Sequence, residues 1–117
     1  FTAQEREEMI GAVFAGTERV RVLHWEGAVV DLLRAENTPF YVRGLRNEAD
    51  FAYETADFYA SRDLGSSFIE LYLPAEQRHL HISSTLVKNC IAFGKPISGY
   101  VPQAVCDYIR WRGISHF

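Results

Sequence analysis

The sequence predicts an α/β fold, a doubly wound parallel sheet with helices on both faces. Strand-like runs rich in β-branched and aromatic residues recur at 20–25, 40–43 and 68–73. Between them lie segments whose apolar residues have helical spacing, and strands joined by helical crossovers run parallel. The 117 residues amount to one domain, and no repeat, low-complexity stretch or linker divides 1–117.

Each element has a local cause. Thr2-Ala3-Gln4-Glu5 is a capping box that opens a helix with Met9, Ile10, Val13 and Phe14 on its apolar stripe, and Gly16 ends it. Val20 to Trp25 reads as a β-branched strand. After Gly27 a helix sets Val29, Leu32 and Leu33 opposite Asp31, Arg34 and Glu36. Asn37-Thr38-Pro39 turns the chain into Phe40-Tyr41-Val42-Arg43, a short strand stopped by Gly44 whose apolar content predicts burial on both faces. Asn47 or Asp50 starts a helix through Phe51, Thr55, Phe58, Tyr59 and Arg62. Phe68 to Leu73 is a third strand, closed by Pro74. The polar loop Ala75 to His81 leads to Ser83-Ser84-Thr85, which caps a helix ending at Gly94. Pro102 stands in the first turn of a last helix bearing Val105, Tyr108 and Ile109.

Composition narrows the class. With 48% apolar and 14% aromatic residues the chain is not intrinsically disordered. No apolar run approaches the ~20 residues of a membrane span, and Phe1 opens a charged amphipathic segment without a signal-peptide core. Net charge is −3 with no basic block, which argues against a nucleic-acid surface, so anion binding rests on local charge. Cys90 and Cys106 match no zinc or redox spacing and read as free thiols of a cytoplasmic protein.

Ligands of such folds bind at the carboxyl ends of the strands. Three segments fall there: His24-Trp25-Glu26, Arg43-Gly44-Leu45-Arg46 and Glu76 through Thr85. Arg43 and Arg46 bracket a glycine and form a clamp for a polyanion, unless nearby acids such as Glu48 or Asp50 neutralise them. Ser83-Ser84-Thr85 at a helix start offers backbone amides and hydroxyls to a phosphate, or serves as a plain cap. His79-Leu80-His81 lacks the further ligands of a metal site, and Met9, Phe51, Phe58 and Tyr59 are core or interface residues. No Walker loop, G-x-G-x-x-G, G-x-S-x-G or H-E-x-x-H occurs.

Ile82-Ser83-Ser84-Thr85-Leu86-Val87-Lys88 resembles the I-S-S-T/S-x-x-R/K signature of nucleotidyltransferases that carry a T/H-x-G-H motif at their first strand. Within that group, Phe1-Thr2 with Glu5-Arg6, Val42-Arg43-Gly44-Leu45-Arg46, Asp50-Phe51-Ala52-Tyr53-Glu54 and Ser98-Gly99-Tyr100-Val101-Pro102 resemble the bacterial phosphopantetheine adenylyltransferases. The resemblance implies a Rossmann-like sheet of strand order 3-2-1-4-5. It also implies transfer of the adenylyl group of ATP, with Mg2+, to 4′-phosphopantetheine, giving dephospho-coenzyme A and pyrophosphate in a homohexameric enzyme of the cytoplasm. Arg43 would hold the phosphate of phosphopantetheine and Val29 would line its pantetheine arm. Gly44, Leu45, Arg46 and Glu54 would contact ATP, and His79, Leu80, His81, Ile82, Ser83, Ser84 and Thr85 match the adenine loop and the helix start for the β- and γ-phosphates.

The chain departs from the family pattern at His79, where relatives often have Trp or Tyr, at Ser61 for Asn and at Thr85 for Ser, and the segment before Pro74 is one residue short. The family's first two strands, its catalytic His motif and a substrate-side Lys, about 45 residues of strand and crossover, precede the position matching Phe1. The chain therefore reads as the C-terminal portion of an adenylyltransferase, without a catalytic residue of its own. A non-catalytic nucleotide-binding or regulatory module of the same fold is the alternative.

Overall fold

A computed structural model describes residues 1–113, and the last four residues of the domain expected over 1–117 lie outside the described residues. The element order is α1 (Ala3–Val13), α2 (Val29–Ala35), β1 (Phe40–Leu45), α3 (Glu48–Asp63), β2 (Ile69–Pro74), α4 (Ser84–Ala92) and α5 (Gln103–Trp111), with a 3-10 turn at Gln77–His79. No described helix is long and apolar enough to cross a membrane. The chain packs as two compact units, Phe1–His24 with Ile82–Phe117, and Trp25–His81.

In the first unit the capping box forms as expected. Thr2 Oγ1 accepts the Glu5 N–H at 3.1 Å while Glu5 Oε2 accepts the Thr2 N–H at 2.7 Å. Glu5 Oε1 also accepts from Arg112 at 2.8 Å, and Tyr108 Oη donates to Glu8 Oε2 at 2.5 Å, which pins α1 against α5. Beneath these bonds Met9, Ile97, Cys106 and Ile109 form a buried core, flanked by Val87, Cys90 and Ile91 of α4. Both cysteines are free thiols.

The second unit is a β–α–β arrangement in which β1 and β2 pair in parallel from Phe40↔Ile69 to Leu45↔Pro74. Side chains alternate across a strand, so Tyr41, Arg43, Leu45, Glu70 and Tyr72 share the half-buried face and α3 packs on β1. Arg62, in the last turn of α3, donates to the Ser66 and Phe68 carbonyls at 2.8 Å each and lies 4.8 Å over the Phe58 ring, fixing the loop that feeds β2. Asn37 takes the left-handed φ of 51° in the predicted turn before β1.

The structure corrects four expectations. Residues 20–25 form no strand: among the described residues the sheet has two strands, and β-branched composition without a neighbour leaves the backbone nothing to pair with. Trp25 instead donates from Nε1 to the Ala28 carbonyl at 2.9 Å, a closure that needs Gly27, whose Cβ would meet Nε1 at 3.0 Å. Strand β1 runs through Gly44 to Leu45, because a glycine with open space around its Cβ position does not interrupt pairing to Leu73. It also buries one face only: Phe40, Val42, Ile69, Leu71 and Leu73 on the other face are 45–59% exposed. Finally, β2 starts at Ile69, since Arg62 holds the Phe68 carbonyl.

Glu70 is the polar anomaly of the half-buried face. Both carboxylate oxygens are buried without a hydrogen-bond partner. Burial first, then the charges of Glu54 and Asp57, raise its pKa above the ordinary value of 4.5, against a weaker pull from Arg43. A carboxyl whose pKa is raised on folding favours the folded state at low pH, and that contribution is lost as pH climbs above about 4.5 through the raised value. Glu70→Gln is therefore expected to be more stable than the parent by roughly 1 kcal/mol at pH 7, with the gap closing toward pH 4, as urea unfolding across that range will measure.

Candidate active site

Strand β1 ends at Leu45 and α3 begins at Glu48, so Arg46 and Asn47 form the whole connection. Asn47 Oδ1 accepts the Asp50 N–H at 2.9 Å and caps α3. Asp50 and Glu54 stand one turn apart on the same face of α3, and each takes one of the two arginines. Asp50 Oδ2 accepts from the Arg46 backbone N–H at 2.9 Å and from Arg46 Nε at 3.2 Å. Arg43 Nη2 donates to Glu54 Oε1 at 2.7 Å, and the guanidinium lies 5.3 Å over the Tyr41 ring. Of the two acids weighed from spacing as partners, Asp50 pairs with Arg46, and Arg43 pairs instead with Glu54.

The two pairs differ in burial. The Glu54 side chain is 7% exposed against 39% for Arg43, whereas Asp50 and Arg46 are 25% and 39% exposed. Glu54 holds the Arg43 pKa above the usual arginine value, chiefly through the hydrogen bond. The Arg46 side chain, then its backbone N–H, hold Asp50 below the usual carboxylate range. Arg43 Nε is buried without an acceptor. The strand end thus presents two permanently charged guanidiniums, one with an unengaged donor, beside an open backbone at Gly44.

The remaining predicted residues fall elsewhere. Val29 is the first residue of α2 and 37% exposed. His79 ends the 3-10 turn with its N–H on the Glu76 carbonyl at 2.8 Å, and Leu80 and His81 follow it on the exterior. In the other unit, half-buried Ile82 precedes Ser83, whose Oγ accepts the Leu86 N–H at 3.1 Å and so serves as the cap of α4. Ser84 and Thr85 occupy the first turn, where amide groups lack intrahelical acceptors. Ile82, Ser83 and Ser84 line a cleft of about 510 Å³ together with Arg6 and Lys88, over a floor that includes Met9 and Ile109. These two cations escaped the residue-level reading. Their signals were Arg6 four residues past the Thr2 cap and Lys88 one helical turn after Ser84, both of which bring a side chain back toward the cap.

Residues 1–90 match the family model described as cytidylyltransferase-like. The chain is 35% identical over 105 residues to the phosphopantetheine adenylyltransferase of Leptospira biflexa, covering 90% of this chain and 66% of that protein. It is 32% identical over 110 residues to that of Campylobacter hominis, covering 94% and 69%. For Streptococcus equi subsp. zooepidemicus the figures are 37% over 111 residues, 94% and 67%. The chain belongs to the phosphopantetheine adenylyltransferase family. It spans about two thirds of the length of the curated relatives it matches. The parallel β1–β2 pair with its α3 crossover fits the Rossmann-like α/β fold of this nucleotidyltransferase family.

In the adenylyltransferase strand end, a double-mutant cycle over Arg43→Ala and Glu54→Ala is expected to give a coupling of about 1–3 kcal/mol, below that of a fully enclosed pair because Arg43 is 39% exposed. The matching Arg46–Asp50 cycle is expected to give less, and to fall further in high salt. Thermal or urea unfolding of the four single and two double variants measures both.

Proposed function

We propose that the protein transfers the adenylyl group of ATP to 4′-phosphopantetheine, yielding 3′-dephospho-coenzyme A and pyrophosphate. The observation that supports this most strongly is the pair of guanidiniums at one strand end, each held by its own carboxylate, in a chain of this family. A phosphate oxygen of phosphopantetheine attacks the α-phosphorus of ATP in line. A new P–O bond forms as the bond to the β-phosphate oxygen breaks, and pyrophosphate leaves with the electron pair. Such a step needs two polyanions held close together and their charge neutralised, and no covalent enzyme intermediate.

In this reading Arg43 binds the phosphopantetheine phosphate, with its buried Nε–H available to an oxygen, and Val29 lines the pantetheine arm. Gly44, Leu45 and Arg46 contact ATP, and Glu54 borders the nucleotide while aligning Arg43. The segment His79-Leu80-His81-Ile82 covers the adenine, and Ser83, Ser84 and Thr85 receive the β- and γ-phosphates, with Arg6 and Lys88 supplying nearby positive charge. Mg2+ enters with the nucleotide substrate, its ligands the phosphate oxygens and water.

The same reading makes both units parts of one nucleotidyltransferase domain. Strands β1 and β2 become the neighbouring fourth and fifth strands of a five-stranded sheet of order 3-2-1-4-5. The unpaired outer edge of β1 and the exposed apolar face of Val42 and Leu71 support that arrangement. Exposed Phe51 and Tyr59 on α3 support a subunit contact, and the reading places the protein as a homohexamer in the cytoplasm.

Arg46→Ala in the complete enzyme is expected to remove about 2–4 kcal/mol of transition-state stabilisation, read as a fall in kcat/KM for ATP in a pyrophosphate-release assay. Arg43→Ala is expected to act mainly on the KM for phosphopantetheine. Unchanged constants in both variants would remove the assignment. Sedimentation of the complete enzyme is expected to show an oligomer that Tyr59→Glu weakens.

A further inference from the structure

A second cleft, of about 450 Å³, opens at the amino ends of the strands, where Pro39 leads into β1 and Phe68 into β2. The arginine pair stands at the other end of β1, some five residues of strand or about 16 Å away. The cleft contains the least satisfied hydroxyl of this unit. Ser66 is 8% exposed and its Oγ has no hydrogen-bond partner. Its backbone is fully engaged: the N–H donates to the Ser61 carbonyl at 3.0 Å and the carbonyl accepts from Arg62 at 2.8 Å. The hydroxyl is thus held rigidly with both its donor and its acceptor capacity unused.

Arg34 lines the same cleft. Its Nη2 donates to the Leu64 carbonyl at 2.9 Å, and its Nη1 stands 3.5 Å from Asp31 Oδ1 on the half-exposed side, so the fork is oriented while part of its donor set stays open. A Cβ at Gly65, where φ is +83°, would come within 3.3 Å of Nη2, so the glycine leaves the guanidinium its place. The Thr38 and Ser67 hydroxyls add donors at the rim, and the Thr38 hydroxyl is only weakly engaged, 3.5 Å from the Glu36 carbonyl. Buried Val30 and Phe68 form an apolar wall. A cationic fork, a rigid buried hydroxyl and an apolar wall in one small cleft suit a compact organic molecule with one oxyanion group.

We infer that the cleft formed by Arg34, Thr38, Ser66 and Phe68 is a binding site for a small organic anion, its carboxylate or phosphate on Arg34 and the Ser66 hydroxyl and its apolar body against Val30 and Phe68. The inference is independent of the adenylyl-transfer reading, whose two arginines stand at the opposite end of β1.

Benzoate and phenyl phosphate serve as probes, with phenol as the uncharged control, titrated at constant ionic strength into the full-length protein and followed through the Phe68 ring and Val30 methyl NMR signals. Saturable shifts are expected for at least one anion and none for phenol, and the tighter anion identifies the headgroup. Ser66→Ala is expected to weaken binding about 10-fold and Arg34→Gln further, while Arg46→Ala leaves it unchanged. Ser66→Ala removes a buried unpartnered hydroxyl, so its melting temperature is expected to equal or exceed that of the parent. No saturable shift at millimolar anion, equal affinity in Ser66→Ala, or a lowered melting temperature for that variant would each overturn the site.

Discussion

Everything at the candidate site depends on the buried carboxylate of Glu54 meeting Arg43 at 2.7 Å. Glu54 is the one buried residue of α3, so a charge lies at the centre of a helix–sheet contact that the Phe51–Tyr72 and Phe58–Phe68 ring pairs flank. That is an expensive way to dock a helix, because an ionised carboxylate loses its hydration and only a well-placed cation offsets the loss. The arrangement makes sense where the cation itself has work to do. Glu54 orients the Arg43 guanidinium, keeps it charged and leaves its Nε–H without an acceptor, a state that an anion's oxygen would relieve in the proposed reading. Stability of the β–α–β unit and readiness of the arginine are therefore set by the same contact.

The second pair repeats the geometry with a different balance. Asp50 is bound by both the backbone N–H and the side chain of Arg46, at the point where the strand turns directly into the helix. It is more exposed than Glu54, so solvent and salt screen it and the arginine is freer to exchange its carboxylate for another anion. One arginine is fixed and the other is loosely tethered, three residues apart. The division follows from one helical turn between Asp50 and Glu54 set against one strand end, and it is the one the proposed reaction of two anionic substrates asks for.

Polar chemistry is concentrated on the half-buried sheet face. Besides Arg43, that face carries Glu70, whose carboxylate is buried beside Glu54 and Asp57 with no hydrogen bond of its own. The opposite face, from Phe40 and Val42 to Ile69, Leu71 and Leu73, is wholly apolar and open. A sheet with one charged, helix-covered face and one bare hydrophobic face has its site on the first and its unfilled packing demand on the second.

By itself the sequence determined what local chemistry decides. The Thr2 capping box, the Asn47 cap and the Ser83 cap follow from residues within a turn of one another and form as read, and the parallel sense of β1 and β2 follows from the helical crossover between them. The place of Arg43 and Arg46 at the end of β1 was legible for the same reason, and so was neutralisation by a nearby acid, which Asp50 provides for Arg46. Pairing and partner choice were not legible. Residues 20–25 have the composition of a strand, yet a strand exists only through a neighbour's hydrogen bonds, and no local property supplies one. Composition likewise suggested that β1 would be buried on both faces, whereas burial depends on what packs there. Only the tertiary structure could give Arg43 to Glu54, because that choice depends on how α3 crosses β1 in space, whereas Asp50 lies four residues from Arg46 and was among the acids the spacing offered. The strained and unsatisfied groups, Ser66, Glu70 and the Arg43 Nε–H, belong to the same class: nothing in their neighbours along the chain distinguishes them until folding removes the water that would have satisfied them.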